Sequence, residues 1–137
     1  MNETNGRVMQ RAFEEIMTRG NVDAIDQLFA SDFRGHDTAG STFGREEFRE
    51  GVLAMLAAFT DRQVALADQV VAGDKVATRW TATGVHSGDF KGIPATGRNI
   101  SMTGISITRL AGGKIVETWE VTDDAGLLRQ LGGLPSA

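Results

Sequence analysis

The spacing of the hydrophobic residues changes near residue 60, and this change constrains the fold more than any other feature of the sequence. Before it, apolar residues recur every three or four positions, as they do on one face of an α-helix. After it, they alternate in segments rich in β-branched residues, which is typical of strands. Helices followed by an antiparallel sheet predict an α+β fold in which the helices cover one face of the sheet. A curved sheet wrapped round a long helix leaves an internal pocket, where we expect a ligand to bind.

The first half is predicted to contain three helices. The first has an apolar stripe and ends at Gly20, and its stripe consists of Val8, Met9, Ala12, Phe13, Ile16 and Met17. A second helix is expected over residues 22–29 and a third from about Arg45 to Phe59, with a polar loop over residues 31–44 between them. Phe48, Val52 and Met55 give the third helix its buried face.

The second half is predicted to contain four strands and a short final helix. The strands cover residues 63–71, 75–83, 100–110 and 114–122, and the helix covers about 125–131. Turns are expected at residues 73–74 and 111–113, where glycines stand between strands. We see no repeat and no linker, so one domain is expected over residues 1–137.

Composition excludes several classes of function. The net charge is −4 and the basic residues are dispersed, which argues against a nucleic-acid partner. The absence of cysteine excludes disulfides, thiolate metal sites and a cysteine nucleophile. The longest apolar stretch, residues 52–59, is too short to span a bilayer, so we expect no membrane association. The polar N-terminus does not resemble a signal peptide, so we expect a cytoplasmic location. No close-spaced histidine pair indicates a metal site.

Two motifs show a resemblance to a known family. Residues 84–97 read G-x-H-x-G-x-x-x-G-x-P-x-T-G, and residues 113–132 read G-K-I-x-E-x-W-x-x-x-D-x-x-G-L-L-x-Q-L-G. The chain therefore resembles the SnoaL-like polyketide cyclases of the NTF2-like superfamily, and D-F-x-x-H-D at residues 32–37 extends the likeness. The resemblance implies a cone-shaped α+β fold with a cavity, a homodimer or larger assembly, and no metal or organic cofactor. It also implies an aldol-type ring closure in which a cavity aspartate acts as general acid and base.

Asp123 is the first candidate for that aspartate. It lies at the end of the last strand, four residues after Trp119, so the two side chains share a face if no bulge intervenes. Apolar surroundings favour the neutral form of a carboxyl group, as suits a general acid or base, and Trp119 would form the pocket wall. The alternative is that Asp123 caps the helix that begins near Ala125.

His86 and His36 are candidates for moving a proton or orienting a substrate oxygen. Both occupy positions that match the family pattern, and neutral imidazole suits either task near pH 7. The alternative for each is a buried histidine that ties a loop to the backbone.

Three further residues are candidates for substrate binding. Arg79, in mid-strand, would stabilise an enolate, or alternatively form an ion pair with Glu117. Phe90 and Ile93, in a glycine-rich segment, would form a mobile rim over the pocket mouth, or alternatively a tight turn.

Three functions are consistent with these observations. The first is cofactor-independent acid–base chemistry on a small hydrophobic carbonyl compound. The second is a non-catalytic module that binds a small apolar ligand or dimerises. The third is hydration or hydrolysis, with Asp123 activating water.

Overall fold

The computed structural model describes residues 4–134 and confirms an α+β architecture. Four α-helices and six strands follow one another with a π-helical segment after the first helix. In chain order they are α1 (Asn5–Ala12), the π-helical segment (Phe13–Thr18), α2 (Ala24–Leu28), β1 (Phe29–His36), β2 (Thr42–Gly44), α3 (Arg45–Ala58), β3 (Phe59–Ala72), β4 (Lys75–His86), β5 (Asn99–Ala111), β6 (Lys114–Thr122) and α4 (Asp124–Gln130).

The six strands form one mixed sheet in the order β2-β1-β6-β5-β4-β3. Strands β1 and β6 are parallel, and every other neighbouring pair is antiparallel. Helix α1, the π-helical segment and α3 pack against one face, which we call the inner face, and we call the opposite side the outer face. None of the helices in residues 4–134 combines the length and the apolar composition needed to cross a bilayer.

Local interactions set the helix ends. The Thr4 hydroxyl accepts a hydrogen bond of 3.3 Å from the Arg7 amide at the start of α1. At the start of α3, Gly44 N donates to the Glu47 carboxylate at 2.9 Å. The π-helical segment is followed by Gly20, whose φ of +74° ends the helix as predicted.

The core consists of two clusters on the inner face. The larger joins the first three α-helices and the π-helical segment to β1, β4, β5 and β6. Its most buried residues include Ile16, Ile25 and Ile115, each at most 1% exposed. The smaller joins the end of α3 to α4 through Ala58, Phe59 and other buried residues. The helices bury their apolar stripes against the sheet. This burial accounts for the recurrence of apolar residues every three or four positions in the first half of the sequence.

Residues 31–44 were predicted to form a loop, but most of them belong to two strands. Strand β1 begins at Phe29, where the second helix was expected to end, and β2 occupies Thr42–Gly44. Phe33 and Gly35 point to the inner face and are buried, while the neighbouring residues are more exposed. The backbone of β1 gains its hydrogen bonds by pairing with β6, more than 80 residues later in the chain. A polar strand that depends on such a distant partner has no strong local signal.

A β-bulge reverses the expected orientation of β6. Arg109 of β5 pairs with Glu117, and the next residue, Leu110, pairs with Ile115, so Val116 is an extra residue in β6. Ile115 faces inward, and beyond the bulge it is Thr118 and Glu120 that line the inner face, with Glu117 and Trp119 on the outer face. The alternation predicted from the sequence assumed that no bulge was present and was therefore wrong beyond Val116.

Candidate functional site

A cavity of about 140 Å³ lies between the helices and the inner face of the sheet. The helical side is formed by α1, the π-helical segment, α3 and α4, and the sheet side by all strands except β2. Its wall is largely apolar, with a few polar groups on the sheet side. The lining includes Phe13, Trp80, Ser106, Thr118, Glu120 and Arg62.

Glu120 is the carboxylate of this cavity. Its side chain lies on the inner face of β6, among apolar neighbours. Burial raises the pKa of the Glu120 carboxyl from 4.5 to about 7, and the negative charge of nearby Asp124 adds to the effect. A carboxyl with this pKa is present in both protonated and ionised forms at neutral pH, which is the property required of a general acid or base.

Hydroxyl groups lie beside Glu120 on the inner face. Ser106 of β5 is directly opposite Glu120, and Thr78 of β4 is directly opposite Ser106, so the three form one row across the sheet. In the next row, the Thr108 and Thr118 hydroxyls bond each other at 2.9 Å. The hydroxyls of Thr78 and Ser106 are buried and have no hydrogen-bond partner among residues 4–134.

Arg62 is the cation of the cavity wall, but its guanidinium serves the backbone. It donates to the carbonyl oxygens of Phe59 at 2.7 Å, Met17 at 3.2 Å and Thr18 at 3.5 Å. These bonds tie the start of β3 to the end of the π-helical segment. The geometry therefore gives Arg62 a structural role, in which it joins two elements that line the cavity.

Asp123 lies outside the cavity lining. It is the N-cap of α4, and its carboxylate accepts a 2.9 Å hydrogen bond from the amide of Gly126. Helix capping was the alternative role predicted for Asp123 from the sequence. Trp119, expected on the pocket wall, is instead on the outer face and 39% exposed, because of the bulge at Val116.

His36 belongs to a cluster on the outer face. Its Nε2 lies 2.8 Å from the Glu117 carboxylate, and its ring stacks on Trp119 at 5.3 Å between centroids. Arg109 bonds the other carboxylate oxygen of Glu117 at 3.2 Å, and these two partners lower the pKa of Glu117, with His36 the stronger. His36 is thus on the side of the sheet away from the cavity.

His86 is buried at the end of β4. Its Nδ1 accepts a hydrogen bond of 3.2 Å from the Thr96 amide and lies 2.9 Å from the Thr96 hydroxyl. Because Nδ1 accepts, the proton of the neutral ring is on Nε2, which has no partner among residues 4–134. The ring packs on Phe59 and ties the 87–98 segment to the sheet, outside the cavity lining.

The three candidates for substrate binding also lie outside the cavity lining. Arg79 is on the outer face, and its guanidinium bonds Asp68 of β3 at 2.5 and 2.8 Å rather than Glu117, which is two strands away. Phe90 and Ile93 exchange two backbone hydrogen bonds of 2.9 Å across a tight turn and pack against the smaller core cluster. A tight turn was the alternative considered for this segment.

Sequence reasoning missed the residues that do line the cavity. Glu120, Thr118, Trp80 and Ser106 line the cavity, and none of them was among the candidate site residues predicted from the sequence. The bulge that brings Glu120 inward depends on how β6 pairs with β5, and no local motif marks it. Within residues 4–134, no group of three histidine, aspartate or glutamate side chains is arranged to hold a metal ion.

The chain is similar to one protein family over most of its length. The family model described as SnoaL-like polyketide cyclase matches residues 7–131. Curated proteins give no match to the sequence.

Solved structures share the fold. IdmH of Streptomyces antibioticus, a candidate polyketide cyclase, is 32% identical over 95% of this chain and 99% of its own, with a TM-score of 0.83. AclR of Streptomyces galilaeus, a candidate hydroxylase, is 26% identical over 98% and 86% of the two chains, with a TM-score of 0.87. A Catenulispora acidiphila protein with a ketosteroid isomerase-like fold, solved with trimethylamine, is 25% identical over 96% of each chain, with a TM-score of 0.75. The fold is thus the ketosteroid isomerase-like fold of the NTF2-like superfamily.

Proposed function

The chain belongs to the SnoaL-like polyketide cyclase family, and we propose that it catalyses acid–base chemistry, with no cofactor, on a hydrophobic carbonyl compound held in its cavity. The observation that carries this proposal is the Glu120 carboxyl, which lies in a largely apolar cavity with its pKa raised to about 7. The apolar wall suits a hydrophobic substrate. The proton-transfer role thereby passes from Asp123, which caps α4, to Glu120.

The reaction we propose is an aldol-type ring closure. The ionised carboxylate of Glu120 takes a proton from a carbon next to a carbonyl group, which leaves an enolate. The enolate carbon attacks a second carbonyl carbon of the same molecule, a carbon–carbon bond forms, and the electron pair of that carbonyl moves to its oxygen. Glu120 then gives the proton to this oxygen and is ionised again, so no atom is lost.

The first half of this cycle can be measured with a simple ketone. 2-Indanone has acidic hydrogens next to its carbonyl group, and their exchange in D₂O is followed by NMR. We expect the protein to accelerate exchange, with a rate that rises through about pH 7 as Glu120 ionises. Glu120→Gln keeps the shape of the side chain but accepts no proton, and it should lower the rate by about 100-fold or more.

Asp124→Asn is the matched control. Asp124 lies outside the cavity lining, and its negative charge contributes to the raised pKa of Glu120. The control should therefore retain exchange but move the midpoint of the pH profile to lower pH. Unchanged exchange in Glu120→Gln would remove Glu120 from the mechanism. Binding of the ketone without any exchange by the wild type would instead favour a non-catalytic binding protein.

We also propose that a second copy of the chain covers the outer face of the sheet. Four large apolar side chains form a patch there, with Ile105 opposite Val121 and Ile107 opposite Trp119. Their exposed fractions are 53%, 64%, 45% and 39% in that order. Charged pairs flank the patch, with Arg79 and Asp68 on β4 and β3 and with Arg109 and Glu117 on β5 and β6. A polar rim round an apolar centre is the usual arrangement of a protein interface.

The test is the state of assembly in solution. Val121→Lys places a charge in the centre of the patch, and sedimentation should show a shift towards monomer. Leu53→Lys, at a position of α3 that is 48% exposed and away from the sheet, is the control and should leave the assembly unchanged. Equal sedimentation of both variants and the wild type would contradict the proposal.

A further inference from the structure

Trp80 presents a buried donor that nothing in the described part of the chain accepts. Its indole lines the cavity and its residue is 4% exposed, yet Nε1 has no hydrogen-bond partner among residues 4–134. Indole nitrogen can only donate a hydrogen bond, so it requires an acceptor. A buried donor without one is costly, and buried tryptophans normally have a partner for this group.

The position of the indole is determined by its neighbours. Gly104 lies directly opposite Trp80 on β5, and a Cβ atom at Gly104 would lie 2.3 Å from Cζ2 and 2.6 Å from Cε2 of the indole. The ring therefore lies across β5 in the space that a side chain at Gly104 would occupy. Cε2 is the carbon bonded to Nε1, so the donor is also above β5. Phe13 contacts the ring from the helical side, at 6.3 Å between centroids.

This arrangement brings the donor close to the polar row. Ser106 is two residues after Gly104 on the same face of β5, about 7 Å along the strand. Ser106 lies directly opposite Glu120, and its buried hydroxyl also has no partner among residues 4–134. The sheet side of a largely apolar cavity therefore holds two unsatisfied groups that can donate, next to a group that can accept a proton.

We propose that Trp80 Nε1 is a specificity-determining donor that binds a carbonyl oxygen of the ligand, with the Ser106 hydroxyl as a second donor to the same polar end. The ligand class is then an apolar molecule with a carbonyl group at the end that meets the sheet. During proton removal by Glu120, the same donors would stabilise the negative charge that develops on this oxygen. The inference rests on the proposed binding of a carbonyl compound in the cavity, but not on its turnover.

Two ligands of the same shape test the proposal. 2-Indanone carries the carbonyl oxygen, and 2-methyleneindane has a CH₂ group in its place. We expect the wild type to bind the ketone about tenfold more tightly, as one hydrogen bond to an otherwise unsatisfied donor allows. In ¹H–¹⁵N spectra, the ketone should shift the indole N–H signal of Trp80 downfield much more than the alkene does, and Trp119, on the outer face, supplies the reference signal.

Trp80→Phe keeps an aromatic wall and removes the donor, so the ketone and the alkene should bind it equally. Gly104→Ala keeps the donor but displaces the ring, and it should also reduce the preference, which guards against a folding defect in the first variant. Three results would each overturn the inference. They are a preference for the ketone that persists in Trp80→Phe, equal binding of the two ligands by the wild type, and no binding of the ketone. Glu120→Gln should still bind the ketone more tightly than the alkene. If the wild type prefers the ketone but does not exchange its hydrogens, the catalytic proposal is refuted and the role of Trp80 in binding stands.

Discussion

Replacing Glu120 with Gln is expected to stabilise the protein at neutral pH while it removes the proposed activity. The carboxyl ionises near pH 4.5 in the unfolded chain and near pH 7 in the folded protein. The contribution of Glu120 to the free energy of unfolding is therefore unchanged below about pH 4.5. It becomes less favourable as the pH rises from 4.5 to 7, because ionisation stabilises only the unfolded chain in this window. Above about pH 7 both states are ionised and the loss is constant.

The magnitude follows from the raised pKa. A tenfold change in proton affinity corresponds to about 1.4 kcal/mol, so ionisable Glu120 costs the folded state about 1 kcal/mol at pH 5 and about 3 kcal/mol at pH 8. Gln carries no charge at any of these pH values and resembles the protonated carboxyl in shape. The free energy of unfolding of Glu120→Gln should therefore exceed that of the wild type by an amount that grows across this range.

Urea unfolding followed by tryptophan fluorescence, at one protein concentration and at several pH values, measures this difference. Glu117→Gln is the control with the opposite sign. Its pKa is lowered, chiefly by the hydrogen bond to His36, so Glu117 stabilises the folded state above about pH 4.5 and loses this effect as the pH falls. Parallel pH profiles for the wild type and Glu120→Gln would refute the argument, since they would mean that Glu120 titrates alike in both states.

Three further outcomes follow from the contacts described above. Asp123→Asn should retain both the stability of the protein and its exchange of ketone hydrogens, because Asn also caps helices well. Asp123→Ala should lower the free energy of unfolding by about 1 kcal/mol in the same urea assay. Loss of ketone exchange in Asp123→Asn without loss of stability would restore Asp123 as the catalytic residue. Gly35→Ala should destabilise the protein by about 1–3 kcal/mol, because a Cβ there would lie 2.1 Å from the Phe43 ring, and thermal melting would show it. Arg79→Gln should change the free energy of unfolding by no more than about 1 kcal/mol in urea unfolding, because the ion pair of Arg79 with Asp68 is exposed. A larger loss would contradict this expectation and show that the pair stabilises the sheet more than its exposure suggests.

Elements held by local interactions were predictable from the sequence. Helix α3 begins at Arg45 as expected and ends at Ala58, one residue early, because Phe59 already pairs with β4. The turn between β5 and β6 has positive φ at both Gly112 and Gly113, as a tight hairpin turn requires. Strand β1 was not predictable in the same way, because its pairing with the distant β6 decides its conformation.

The site was harder to predict because it depends on which strands are neighbours. Arg79 has its ion-pair partner on β3, and an assignment to Glu117 required β4 and β6 to be adjacent, which they are not. Asp123 was predicted to be the cavity carboxylate, but the extra residue Val116 turns Glu120 inward instead. The resemblance to a family correctly indicated the fold, and the pairing of the strands determines which side chains enter the cavity.

The bulge also predicts where this strand tolerates a change in length. Val116 is the residue of β6 that has no partner on β5, so a single-codon deletion there would leave Ile115 beside Glu117 in regular alternation. Thr118 and Glu120 would still face inward, whereas a deletion nearer the middle of β6 would turn part of the strand over. Because a bulge bends and twists its strand, the deletion would change the depth of the cavity while every lining residue stays the same. Insertion and deletion at this position therefore offer a way to alter the size of the accepted ligand without altering the chemistry.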